Sequence, residues 1–92
     1  MAAAADFDLD RKYALHPQVA VRPEPFGALL YHFGTRRLSF LKDPRLLGVV
    51  RGLADQPTAR AACAAAGVSD PELPRFARAL ATLAGTDMLE VA

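Results

Sequence analysis

Residues 16–44 read HPQVAVRPEPFGALLYHFGTRRLSFLKDP, and this stretch decides the fold. Runs of strand-forming residues alternate with clusters of turn formers. From Tyr13 the odd positions are Tyr13, Leu15, Pro17, Val19 and Val21, with Lys12, His16, Gln18 and Arg22 among the positions between. That period of two predicts a first, half-buried strand over 13–21. Pro23 and Pro25 end it, and Phe26-Gly27 completes the turn. Residues 28–33 are apolar on both faces, with Leu29, Tyr31 and Phe33 on one and Ala28, Leu30 and His32 on the other. This is the pattern of a central strand covered on both sides, or of a sheet face awaiting a partner. Gly34-Thr35 makes the next tight turn, since Gly takes the positive φ that short hairpins need. Residues 36–42 form the third strand, with Leu38 and Phe40 alternating against Arg37, Ser39 and Leu41.

Three helices are expected downstream. Asp43 caps the first, and Pro44 suits its opening turn because the missing N–H has no partner there anyway. Leu46, Val49, Val50 and Leu53 then form an apolar stripe at helical spacing. Asp55-Gln56-Pro57 breaks it, and Thr58 caps a short alanine-rich helix that Gly67 ends. Ser69-Asp70-Pro71-Glu72 carries a capping pattern. The last helix presents Leu73, Phe76, Ala77, Leu80 and Leu83 on one face. Met88, Leu89 and Val91 fold back as an apolar tail or short strand. Three strands then three helices make an α+β domain, one antiparallel sheet on a helical layer. Residues 1–10 lack any long-range pattern and read as a mobile tail, leaving 11–92 as a single domain.

Composition excludes several classes of function. A net charge of +1 over 92 residues gives no electrostatic footprint for nucleic acid. The apolar stretches are too short to span a bilayer, and the first residues lack the basic start and apolar run of a secretory signal. The single cysteine, Cys63, forms no internal disulfide, so the cytoplasm is the default location. A metal site needs several suitably spaced ligands, and His16, His32 and Cys63 fall in different expected elements. Cys63 reads as a small core residue and His32 as a strand residue at the sheet surface. No nucleophile has a base beside it, and no phosphate or dinucleotide loop occurs. The expectation is a protein without catalytic, metal or cofactor sites.

An edge strand exposes unpaired N–H and C=O groups that an extended peptide can complete. In a meander the first and third strands are the edges. Prolines at 17, 23 and 25 spoil the first as a template, whereas residues 36–42 keep every donor. Sequence alone therefore favours the third strand as the open edge.

The Arg-Pro-Glu-Pro-Phe-Gly turn and the Arg-Arg-Leu-Ser-Phe-Leu-Lys strand, with the helices that follow, resemble the MftB family of mycofactocin-biosynthesis peptide chaperones. These are PqqD-like precursor-peptide recognition domains with a winged-helix-like arrangement. The resemblance spans roughly residues 13–90. It implies a non-catalytic module that binds the mycofactocin precursor peptide and presents it to a radical S-adenosylmethionine maturase. It further implies that the peptide adds as a strand to Arg36, Arg37, Leu38, Ser39, Phe40 and Leu41. The groove is then lined by Leu38 and Phe40 from the strand and by Leu73, Phe76, Ala77 and Leu80 from the last helix. Arg36, Arg37, Arg75 and Arg78 flank it and attract acidic peptide residues. Without the resemblance, Leu73, Phe76 and Leu80 read first as plain core, and Arg36-Arg37 as a solvated pair blunting the edge. A winged-helix nucleic-acid binder is the alternative. It ranks lower because the last helix offers only Arg75 and Arg78, beside Glu72.

Overall fold

The computed structural model describes residues 7–92 as two small antiparallel sheets packed with three α-helices. The run expected as one first strand breaks at Pro17. Its first part, β1 (Tyr13–Leu15), pairs with the C-terminal β5 (Leu89–Val91). The His16 N–H donates to the Met88 carbonyl at 2.9 Å and the Ala92 N–H to the Lys12 carbonyl at 3.0 Å, which extends that pairing. Its second part, β2 (Val19–Glu24), pairs with β3 (Gly27–His32), and β3 with β4 (Leu38–Leu41). The cause is local. Pro17 lacks a ladder donor, the His16 carbonyl accepts from the Val19 N–H at 2.9 Å, and the His16 Nδ1 accepts from the Gln18 N–H at 3.1 Å.

The register fixes where every strand group points. The Phe33 N–H donates to the Gln18 carbonyl at 2.9 Å and the His32 N–H to the Arg37 carbonyl at 3.0 Å. Hydrogen-bonded pairs recur every second residue in an antiparallel ladder. Residues 29 and 31 therefore bond to β2, whereas Leu30 and Ala28 bond to Ser39 and Leu41 of β4. Pro23 does not end β2, as the sequence suggested, but sits within it opposite Ala28. That is a non-hydrogen-bonded position, so its missing donor faces outward and costs the ladder nothing.

Two expectations around the β3–β4 turn need correction. Gly34 has no positive φ; the left-handed residue of the β3–β4 turn is Arg36, at φ 64°. The turn is held instead by His32, whose Nδ1 accepts from the N–H groups of Gly34 and Thr35, both at 3.0 Å. His32 is accordingly buried on the core face, not at the sheet surface. Gly27 opens β3 at φ 149°, where any Cβ would strike the Leu41 carbonyl. A side chain there would push β3 and β4 apart.

The helices follow the sequence signals. α1 (Pro44–Gly52) is capped by Asp43, which accepts from the Arg45 N–H at 2.9 Å. α2 (Ala59–Ala65) is capped by Thr58 through the Ala61 N–H at 3.0 Å. A 3-10 turn (Asp70–Glu72) leads into α3 (Leu73–Gly85). The core lies between the inner face of the main sheet and the helices, with Leu30, Leu41, Val49, Leu53, Leu80 and Met88 fully buried. Side chains of this size each contribute about 1.5–3 kcal/mol on burial. Cys63 belongs to this core, and burial pushes its thiol pKa up.

The tail expected over 1–10 falls partly outside the described residues. Phe7 stacks on Tyr13 with ring centroids 4.7 Å apart, and the Leu9 carbonyl accepts from the Arg60 N–H at 2.8 Å. Asp10 pairs with the Arg60 guanidinium at 2.9 Å. Residues 7–10 thus lie against the helical body.

Candidate functional site: the β4 edge and its cleft

β2 and β4 are the two edges of the main sheet. The outward positions of β2 are Val19, Val21 and Pro23. The Val19 N–H is taken by His16 and Pro23 has none. On β4 the bonds to β3 use Ser39 and Leu41, so the N–H and C=O groups of Leu38 and Phe40 point away from the sheet. β4 is therefore the edge with two regularly spaced, outward donors and acceptors.

Beside this edge lies a cleft of about 290 Å³ lined by Ser39, Phe40 and Leu41 from β4, Leu46 from α1, and Ala79, Thr82 and Leu83 from α3. It continues past Leu46 and Ala79 into a cavity of about 40 Å³ lined also by Asp43, Arg75 and Phe76. The walls are mostly apolar. Ala79 and Thr82 are short, and the space is what a longer side chain on α3 would fill.

The far end of the cleft is fixed by charge. Arg45 donates both terminal nitrogens to Glu72 at 2.8 Å and 2.8 Å, a bidentate pair, and its Nη2 lies 3.3 Å from Asp43. Arg75 bridges the same two carboxylates more loosely, at 3.7 Å and 3.5 Å. Both guanidinium carbons sit over the Phe76 ring, 5.2 Å and 5.0 Å from its centre. This network ties the start of α1 to the start of α3 and so sets the cleft width. The Arg45 guanidinium, with the N–H and hydroxyl of Ser69, lowers the Glu72 pKa from 4.5 to about 2. A carboxylate held low in the folded state contributes stability that is complete above pH 4.5 and disappears as pH falls toward 2. The melting temperature of the wild type should therefore fall across that window more steeply than that of Glu72→Gln. Parallel curves would show that the pair does not support the fold.

The structure brings some of the expected site residues together and separates others. Ser39, Phe40 and Leu41 line the cleft, and Phe76 lines its narrow end. Leu38 does not. Leu41 is buried, and alternation then puts Ser39 on the same inner face while the side chains of Leu38 and Phe40 project on the opposite face. The expected pairing of Leu38 and Phe40 side chains with α3 is thus one residue out of phase. Leu80 is fully buried core, and Leu73 and Ala77 are half-buried outside the cleft lining. Leu46, Ala79, Thr82 and Leu83 were missed. Leu46 and Leu83 read from the sequence as members of core stripes, and Ala79 and Thr82 give no signal of their own because they are small. Arg75 is engaged by the carboxylates above. Arg36, Arg37 and Arg78 are exposed and have no ion-pair partner among the described residues.

Among the described residues no group of three or more His, Cys, Asp or Glu side chains could hold a metal ion, and no helix is long and apolar enough to cross a membrane.

Comparison with known proteins gives a consistent result. The model of the Peptide chaperone MftB family matches residues 12–90. A protein named Peptide chaperone MftB from Mycobacterium ulcerans (strain Agy99) is 64% identical over 88 residues, covering 96% of this chain and 81% of that protein. One of the same name from Mycobacterium tuberculosis (strain ATCC 25618 / H37Rv) is 60% identical over 88 residues, with the same shares. A third, from Mycolicibacterium smegmatis (strain ATCC 700084 / mc(2)155), is 58% identical over 83 residues, 90% of this chain and 81% of that protein. No solved structure matches significantly.

Proposed function

Since the chain belongs to the peptide chaperone MftB family, whose role is non-catalytic, we propose that it binds the mycofactocin precursor peptide by adding it as a strand to β4 and presents it to a radical S-adenosylmethionine maturase. Residues 11–92 act as one recognition domain, working in the cytoplasm. The observation that carries this reading is the pair of outward N–H and C=O groups at Leu38 and Phe40 bordering an apolar cleft. Backbone pairing supplies affinity for an extended chain, and the cleft selects alternate side chains. Arg36, Arg37 and Arg78, without an ion-pair partner among the described residues, favour acidic residues flanking the bound segment. By contrast, Arg75 is already neutralised by Asp43 and Glu72, which leaves α3 with little charge for a DNA backbone.

The test compares two substitutions at one position. Phe40→Pro removes an outward N–H, whereas Phe40→Thr keeps it with good strand propensity. Calorimetry with the precursor peptide should find Phe40→Pro about tenfold or more weaker than Phe40→Thr, both remaining folded; a lost hydrogen bond with an orphaned partner costs about 1–3 kcal/mol. Equal affinities would remove strand addition. Ser39 is the wrong position for this test, because its N–H belongs to the β3–β4 ladder.

A further inference from the structure

The outer face of the main sheet carries an apolar patch that the cleft does not use. Phe26, Phe33, Leu38 and Phe40 are 45%, 61%, 54% and 60% exposed, and Leu29 and Tyr31 are half-buried beside them. Phe26 lies 6.3 Å from Phe40, and Tyr31 meets Phe33 edge-on at 4.9 Å. Large exposed apolar patches mark interaction sites.

Its distribution identifies the occupant. The β2 side of the same face carries Ala20 and an Arg22–Glu24 ion pair at 2.8 Å. The apolar surface is therefore gathered along β4, the open edge. Leu38 and Phe40 are also the two residues whose backbone groups face outward. A partner packed flat on the sheet would meet the Arg22–Glu24 ion pair on its β2 side. A strand added at the usual spacing of about 4.8 Å instead sets every second side chain beside Leu38 and Phe40 on this face.

Resting on the strand-addition reading, we infer that the bound peptide is gripped on both faces. Alternate residues enter the cleft against Ala79, Thr82 and Leu83, and the residues between them pack on Leu38 and Phe40. The ligand is therefore a short segment apolar at consecutive positions, as in a strand buried on both sides, and not one alternating apolar with polar. Cations at Arg37 and Lys42 bracket β4 in sequence and mark the ends of the apolar segment.

The test combines a protein variant with a peptide scan, using the mycofactocin precursor peptide as probe. Leu38→Thr and Phe40→Thr keep strand propensity and the outward donors while removing the outer-face side chains. Each should weaken binding roughly fivefold or more, with melting temperature near that of wild type, because both side chains are exposed. Serine substitution along the peptide should find two or more consecutive sensitive positions. If only every second position matters and both Thr variants bind as wild type, the outer face is not a peptide contact, even where Phe40→Pro still abolishes binding. If the wild type sediments as a dimer that the Thr variants dissociate at unchanged peptide affinity, a second copy occupies the patch and the inference is wrong. If Phe40→Pro binds no worse than Phe40→Thr, the strand-addition reading itself fails and takes this inference with it.

Discussion

Ala79→Leu is expected to weaken precursor binding by about tenfold or more while leaving the fold intact. Ala79 lies on α3 between the wide and narrow parts of the cleft and lines both. Leucine is nearly as good a helix former as alanine, and the position is half-buried beside open space. The added side chain therefore goes into the cleft, against Leu46 and the backbone of β4. A peptide residue competing for that volume meets overpacking of about 1–3 kcal/mol or loses its pocket altogether, so affinity should fall by about tenfold to a hundredfold or more. Melting temperature should hold or rise, since the new side chain buries its own apolar surface. Unchanged affinity in a folded Ala79→Leu protein would show that peptide side chains do not enter between β4 and α3.

Phe76→Ala is the opposite case, with its largest effect on stability. Sequence spacing puts Phe76 on a stripe with Leu73 and Leu80 that reads first as plain core, and the family resemblance implies a groove side chain. It is only 2% exposed and packs in the core, with two guanidinium groups over its ring. Truncation should cost about 3–5 kcal/mol, a large share of what holds a 92-residue domain together. The same change unseats Arg45 and Arg75, so the narrow end of the cleft should loosen. Denaturant unfolding measures the loss. A melting temperature within a few degrees of wild type would return Phe76 to the cleft wall as a dispensable lining residue.

Much of this was legible in the sequence, for physical reasons that differ by element. The helix starts at Asp43, Thr58 and Ser69 were readable because capping is local chemistry: one side chain meets a nearby backbone donor or acceptor. The open edge was readable because proline removes donors from one candidate strand and not the other. The β1–β5 pairing was not, since it joins residues about 75 positions apart through three-residue strands with no pattern long enough to announce them. The phase of β4 was also hidden. LSFL has three apolar residues on two parities, and only the burial of Leu41 against the helices chooses the inner face. His32 looked like a surface residue because its role, holding the next turn through Nδ1, depends on where Gly34 and Thr35 go. The cleft was least legible of all, because Ala79 and Thr82 define it by being small.

Amide hydrogen exchange at four successive residues of β4 separates strand addition from every other mode of peptide capture. In the free protein the N–H groups of Ser39 and Leu41 are bonded to β3 and should exchange slowly, while those of Leu38 and Phe40 face solvent and should exchange fast. Adding saturating precursor peptide should slow Leu38 and Phe40 together, by at least about tenfold. If those two amides keep their free exchange rates in the fully bound protein, no strand has been added at β4.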